Sequence, residues 1–252
     1  MSDWHACAAL VERGDSARFR AAMAAPAKAR AALFPIYAMA LEVSRAPWVT
    51  QEPMIAEMRL QWWRDALEEI KEGREVRSHE VTVPLAQVLT GAGAAALDDL
   101  IVARRWDIYK DAFEDAAHFT DYLEKTSGNM LFAACDALGR SDKAVCRDAG
   151  YALGLARFFQ AVPELEAQRR VPLLDGRPEA IAELARGGLA RLRAARAARG
   201  KVHAAVMISC WEAERLLSLA AKKPGLVARG ALQISRMHSA ARLTYVAVTG
   251  RW

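Results

Sequence analysis

The sequence has no long apolar run. No charge-free stretch reaches the roughly 18 residues that a membrane-spanning helix needs, and the N-terminal residues lack the apolar core of a secretory leader. It has no CxxC pair and no zinc-ligand spacing. Cys7, Cys135, Cys146 and Cys210 are scattered, which predicts buried thiols in a reducing compartment. His5, His79, His118, His203 and His238 are equally dispersed, without an HExxH motif. There is no Walker loop, no GxGxxG, and no nucleophile-elbow glycine pattern at Ser44, Ser127 or Ser209. Repeats, low-complexity linkers and breaks in composition are missing too. Residues 1–252 therefore read as one domain, with 1–14 as a peripheral N-terminal helix. These absences exclude a disulfide scaffold, an HExxH zinc enzyme and a P-loop nucleotidase. They predict a cytoplasmic chain, with attachment to the face of an inner membrane left open.

What is present is alanine and leucine. The apolar fraction is 53% with few β-branched runs, which predicts an all-α protein. The net charge of +5 permits an anionic partner without requiring one. Helices are predicted over 3–13, 17–24, 26–46, 52–73, 81–89, 97–109, 119–138, 141–161, 178–200, 202–221 and 227–248. Thr90 to Gly93 reads as a turn, and Pro163 as a helix breaker. Ten or so helices with short connections suggest a bundle-like architecture.

Residues 52–73 separate cleanly around a helical axis. Ala56, Leu60, Trp62, Trp63, Ala66 and Leu67 fall on one side, acids and bases on the other. Arg59 is the exception, lying within the apolar arc between the tryptophans. A buried charge needs a partner. Arg59 is thus either a structural arginine, paired or stacked on Trp62 or Trp63, or a residue facing an anionic ligand. A second basic feature is the run Arg191, Arg193, Arg196, Arg199 and Lys201. It reads as a solvated face or, alternatively, as a membrane-surface contact. No aromatic residues interleave it, so nucleic acid is not expected as a partner.

The stretch Arg59-Leu60-Gln61-Trp62-Trp63-Arg64 resembles the RLxxW segment of the squalene/phytoene synthase family, the head-to-head prenyl transferases. Other segments resemble family landmarks in the same order: 31–38, 100–109 (with Val102 where an aspartate is usual), Tyr122 with Thr126, Ser127 and Gly128, and 153–156. The resemblance runs from about Asp15 to the end. It implies an all-α, single-domain isoprenoid (prenyl) synthase fold with helices around a central cavity. Active members hold two allylic diphosphates there through Mg²⁺ on two aspartate-rich motifs. Counting from Tyr37 places the first motif at 44–48, where Ser44, Arg45, Ala46, Pro47 and Trp48 include no carboxylate. The second falls within 161–169, where Pro163 is expected to end the helix. Glu164 and Glu166, two apart, cannot share a helical face there. The DAFED letters at 111–115 precede Tyr122 and read as a solvated acidic turn.

The RLQWWRDAL stretch and the closing Gly250-Arg251-Trp252 resemble the degenerate branch of the family related to the mitochondrial complex I assembly factor. The resemblance therefore implies a non-catalytic isoprenoid- or lipid-binding or assembly-type protein, with a respiratory complex as the expected partner. Its cavity candidates are Tyr37, Leu41, Ser44, Arg45, Arg59, Trp62, Trp63, Asp107, Tyr122, Gly128 and Asn129. No catalytic residue, metal ligand or cofactor is expected. One alternative is an active prenyl transferase, where Mg²⁺ would belong unless Arg45, Arg59 and Arg64 compensate for lost metal. Another is a peripheral membrane protein docking through 186–201 and Trp252.

Overall fold

Two helices that are apolar on nearly every side occupy the centre, where such helices belong. The computed structural model describes residues 4–50 and 52–252, so Asp3, predicted to start the first helix, lies outside the described residues. Helix α1 (His5–Gly14) lies on α3 (Ala27–Arg45), with Cys7 and Val11 in the core. Asp15 then caps α2 (Ser16–Ala24) by accepting the Arg18 backbone N–H at 2.9 Å. Helix α3 is buried without interruption from Leu33 to Leu41, Pro35 included. Helix α4 (Pro53–Lys71) lies mainly against α6 (Gly91–Arg104), with Ala56, Leu60, Trp63, Ala66 and Leu67 buried. Between them comes α5 (Thr82–Ala86). The turns α7 (Trp106–Tyr109) and α8 (Ala116–Leu123) lead through a π-turn, Glu124–Gly128, into α9 (Asn129–Ala137).

The second central helix is α10 (Lys143–Ala167), capped by Asp142 and buried from Ala149 to Ala156. Against it lie α9, the π-turn and α11 (Pro178–Ala197). The chain closes with α12 (Ala204–Met207), α13 (Ala213–Lys222), α14 (Gly225–Ala228) and α15 (Arg236–Thr249). No strand occurs among the described residues.

The all-α expectation holds, and several boundaries move. Thr90 is the N-cap of α6, its side chain accepting the Gly93 N–H at 2.9 Å, so the predicted turn begins a helix. Pro163 sits inside α10, which continues for another turn to Ala167. A proline removes one hydrogen bond; burial of α10 against α11 and α13 outweighs that loss. Asp142, not Ser141, caps α10, and Ser141 donates to Asp136. The predicted helix over 202–221 is split by a 3-10 turn, Ile208–Cys210, and the one over 227–248 by residues 229–235.

Candidate functional site

A cavity of about 470 Å³ opens between the C-terminal end of α3 and the second half of α10. Leu41, Ser44 and Arg45 come from α3, with Trp48 just beyond it. Arg157, Phe158, Ala161 and Glu164 come from α10, followed by Gln168 and Arg170. Arg18, Arg104, Asp107, Tyr122, Thr126 and Ser127 complete the wall.

Close backbone contact sets the wall's shape. A Cβ on Gly150 would stand 2.3 Å from Gly128 Cα, and one on Gly154 would stand 2.8 Å from Ser127 Oγ. Only glycine lets α10 press onto the π-turn this closely. The Thr126 hydroxyl donates to the Tyr122 carbonyl at 2.6 Å. That bond fastens the irregular backbone where the helix ladder shifts, a usual place for functional side chains.

The floor is a buried ionic network centred on Asp107, which is 3% exposed. Its Oδ1 accepts from Arg170 Nη1 at 3.1 Å, and its Oδ2 from Arg104 Nη1 at 2.9 Å. The Tyr122 hydroxyl donates to both oxygens at 3.1 and 3.0 Å and accepts from Arg104 at 2.6 Å. Arg170 also donates to the Asp107 carbonyl. Its guanidinium lies 4.8 Å from the Trp48 ring centre and 5.1 Å from that of Trp106. Burial pushes the Tyr122 phenol well up, so it stays a neutral donor. For Arg104, burial works against the charge, but Tyr122 and Asp107 outweigh it, and the guanidinium is held above its ordinary value.

The other arginines are held from behind. Arg157 donates to Glu212 Oε2 at 3.0 Å and to Gln160 at 3.1 Å. Glu212 in turn accepts from Ser239 of α15 at 2.8 Å. Arg18 pairs with Asp15 at 3.2 Å and lies 5.5 Å over the Tyr37 ring. Arg45, half exposed, has its nearest carboxylate, Glu42, at 4.0 Å. The lining therefore presents Arg18, Arg45, Arg104, Arg157 and Arg170 against two carboxylates, Asp107 and Glu164. Arg104 and Arg170 share Asp107, Arg157 has Glu212 and Arg18 has Asp15, which leaves Arg45 the least compensated, and Leu41, Leu153 and Phe158 add apolar surface. Among the described residues, no three His, Cys, Asp or Glu side chains gather as a metal site.

Leu41, Ser44, Arg45, Asp107 and Tyr122 of the predicted set meet here. The rest do not. Tyr37 is core beneath Arg18, 1% exposed, and burial pushes its phenol up. Gly128 makes the helix crossing, and Asn129 is buried beside it. Arg59 is exposed although at 100° per residue it lies between Trp63 and Ala66, both buried; the first half of α4, where Ile55 and Met58 are exposed too, stands clear of the core on this side. With Ile55, Met58, Trp62, Trp63 and His79 it borders a separate groove of about 370 Å³. Trp62 and Trp63 stack edge-on with His79 at 5.3 and 5.5 Å, and Arg77 lies 5.0 Å over Trp62. They anchor the loop after α4. Arg64 makes a two-point ion pair with Asp98, so neither it nor Arg59 can compensate for metal in the cavity. The residues missed were Arg18, Arg104, Arg157 and Arg170. Arg157 carried a readable signal, as the lone charge in the apolar stretch 149–163.

The architecture matches solved structures along its full length. A dehydrosqualene synthase in complex with ligand superposes with a TM-score of 0.81 at 14% identity, covering 98% of this chain and 95% of that one. Squalene synthase HpnC from Alicyclobacillus acidocaldarius gives 0.58 at 17% identity, covering 98% and 94%. The fold is thus the all-α isoprenoid synthase fold. A sequence model of squalene/phytoene synthase matches residues 11–237, and the chain belongs to that family. It is also 27% identical over 177 residues to a Drosophila melanogaster protein, "NADH dehydrogenase (ubiquinone) complex I, assembly factor 6 homolog". That match covers 67% of this chain and 53% of the relative. To the human assembly factor 6 it is 22% identical over 182 residues, covering 66% and 51%. The chain spans about half the length of these curated relatives.

Proposed function

We propose that this chain is a non-catalytic member of the family that binds an anionic isoprenoid- or lipid-like molecule and serves in assembly of a respiratory complex. The observation that carries the reading is the convergence of guanidinium groups on the cavity: five arginines line it, with Asp107 and Glu164 on the wall and Asp15 and Glu212 paired from behind. The two segments that the family resemblance assigns to the aspartate motifs border this cavity. They supply Ser44, Arg45 and Trp48 on one side and Ala161, Glu164, Leu165 and Gln168 on the other. Mg²⁺ bridging diphosphates takes oxygen ligands, mostly carboxylates and water. Asp107 already accepts hydrogen bonds from two arginines and a tyrosine, which leaves Glu164 alone. That donor set does not fit the metal, and in this reading guanidinium groups hold the anion instead. The names of the fly and human relatives support the assembly role.

The test is turnover. Purified protein incubated with farnesyl or geranylgeranyl diphosphate and Mg²⁺ is expected to release no diphosphate and form no condensation product. Robust Mg²⁺-dependent product formation would overturn the reading.

A further inference from the structure

Helix α15 is amphipathic in the wrong direction for a helix whose only neighbour is the protein. Its inner side is short: Ser239 and Val246 are buried, Leu243 is half-buried, and Trp252 beyond the Gly250 turn is 3% exposed. The opposite side carries Met237, Ala241, Thr244, Tyr245 and Val248 at helical spacing, all exposed. Met237 is 79% and Val248 80% exposed, the two most exposed large apolar residues described. No charged side chain interrupts that stripe.

The charge around it is one-sided. From residue 215 to 252 the chain carries Arg215, Lys222, Lys223, Arg229, Arg236, Arg242 and Arg251 and no Asp or Glu. These seven exceed the +5 of the whole chain, so the remainder is on balance negative. Arg242 pairs with Glu214 at 3.5 Å. Lys222, Lys223, Arg229, Arg236 and Arg251 make no ion pair among the described residues. An outward apolar stripe on a carboxylate-free basic segment complements a surface that is apolar below and negative above. No described helix is long and apolar enough to cross a membrane, so α15, at 14 residues, would lie in the interface plane.

We infer that α15 and the basic segment before it dock this protein onto the surface of an anionic lipid bilayer. The site differs from the one expected from the sequence. In the run 186–201, Arg191 is tied to Glu124 and Asp148 and Arg196 to Glu214, and Trp252 is in the core. Arg186, Arg193 and Arg199 of that run make no ion pair among the described residues, but no large apolar side chain is exposed between 175 and 236 for them to flank, whereas α15 has both the cations and the apolar stripe. A lipid surface fits α15 better than a protein groove because the cations are spread over three elements rather than focused on one pocket.

The test is flotation of the full chain with vesicles of neutral phosphatidylcholine, alone or with phosphatidylglycerol. The protein is expected to float with the anionic vesicles only and to come off as salt rises. Met237→Asp with Val248→Asp is expected to weaken binding at least tenfold without changing the melting temperature, both positions being exposed. Lys222→Glu with Lys223→Glu should weaken it further, by roughly fivefold per cation removed. The inference is overturned by any of four results. These are no flotation with either vesicle, equal flotation with both, binding lost through Arg193→Glu but not through the α15 pair, or a concentration-dependent dimer that the α15 pair dissolves. The last would make a second copy the occupant. Binding of prenyl diphosphate in the cavity plays no part in this assay, so the two readings can fail separately.

Discussion

Asp107 is the residue on which the cavity depends most. It is 3% exposed and holds Arg104, Arg170 and Tyr122 at hydrogen-bond distance. Removing its charge leaves two guanidinium groups without their shared carboxylate, one of them, Arg170, buried. Loss of one partner of a buried pair costs about 3–5 kcal/mol. Asp107→Asn is therefore expected to lower the melting temperature by roughly 6–20 °C; a shift under 2 °C would contradict the network. At this scale the sequence was half legible. The rule that a lone charge in an apolar run needs a partner picks out Arg157, which has Glu212 and faces the cavity. The same rule misleads for Arg59, because exposure there follows position along α4: Ile55, Met58 and Arg59 in the first half border a groove, while Ala66 and Leu67 in the second half are buried. Arg170 gave no signal, since its partners Asp107, Trp48 and Trp106 are brought together only by the fold.

At the scale of elements, the crossing of α10 over the π-turn shapes the cavity. Gly150→Ala would put a methyl 2.3 Å from Gly128 Cα, against backbone that cannot swing aside. Overpacking of this kind costs about 1–3 kcal/mol or more, so a fall of at least about 3 °C is expected. Gly187, inside α11 with open space around its Cβ direction, is the control. Gly187→Ala should stabilise by roughly 0.5–1 kcal/mol through helix propensity alone. Thermal melts of both variants check the pair; the opposite signs would contradict the crossing. The long apolar helices α3 and α10 could be read from the sequence, apart from the last turn of α10, and α6 only from Leu97 onward. The chain from 202 to 235 could not, because its 3-10 turn and short helices depend on contacts with α2 and α9 rather than on local pattern.

The whole molecule is held in part by carboxylates that the fold keeps ionised. For Asp15, burial works toward protonation, but Arg18 and its backbone N–H outweigh it and the carboxyl sits below its ordinary value. Hydrogen bonds from Arg77, from the Val145 N–H and from Arg196 likewise lower Glu69, Asp142 and Glu214. A carboxyl whose value is lower folded than unfolded contributes fully above the unfolded range, near about pH 4, and less as pH falls through its folded value. Thermal stability should therefore be flat from pH 7 to about 5 and decline below about 4.5. Unchanged melting at pH 3 would contradict those pairings. The all-α class was legible through the family's ordered landmarks, and the segments 44–48 and 161–169 that those landmarks single out contribute residues to the cavity wall. The gathering of arginines there was not legible, because they come from five separate segments.

The central claim is that guanidinium groups, without metal, hold an anion in this cavity. Calorimetric titration with farnesyl diphosphate, once in EDTA and once in Mg²⁺, tests it most directly. The account predicts the same affinity within about twofold in both, and a loss of roughly tenfold or more in Arg157→Gln, the size of a lost charge-assisted hydrogen bond. Binding that appears only with Mg²⁺, or that is indifferent to Arg157, would contradict it.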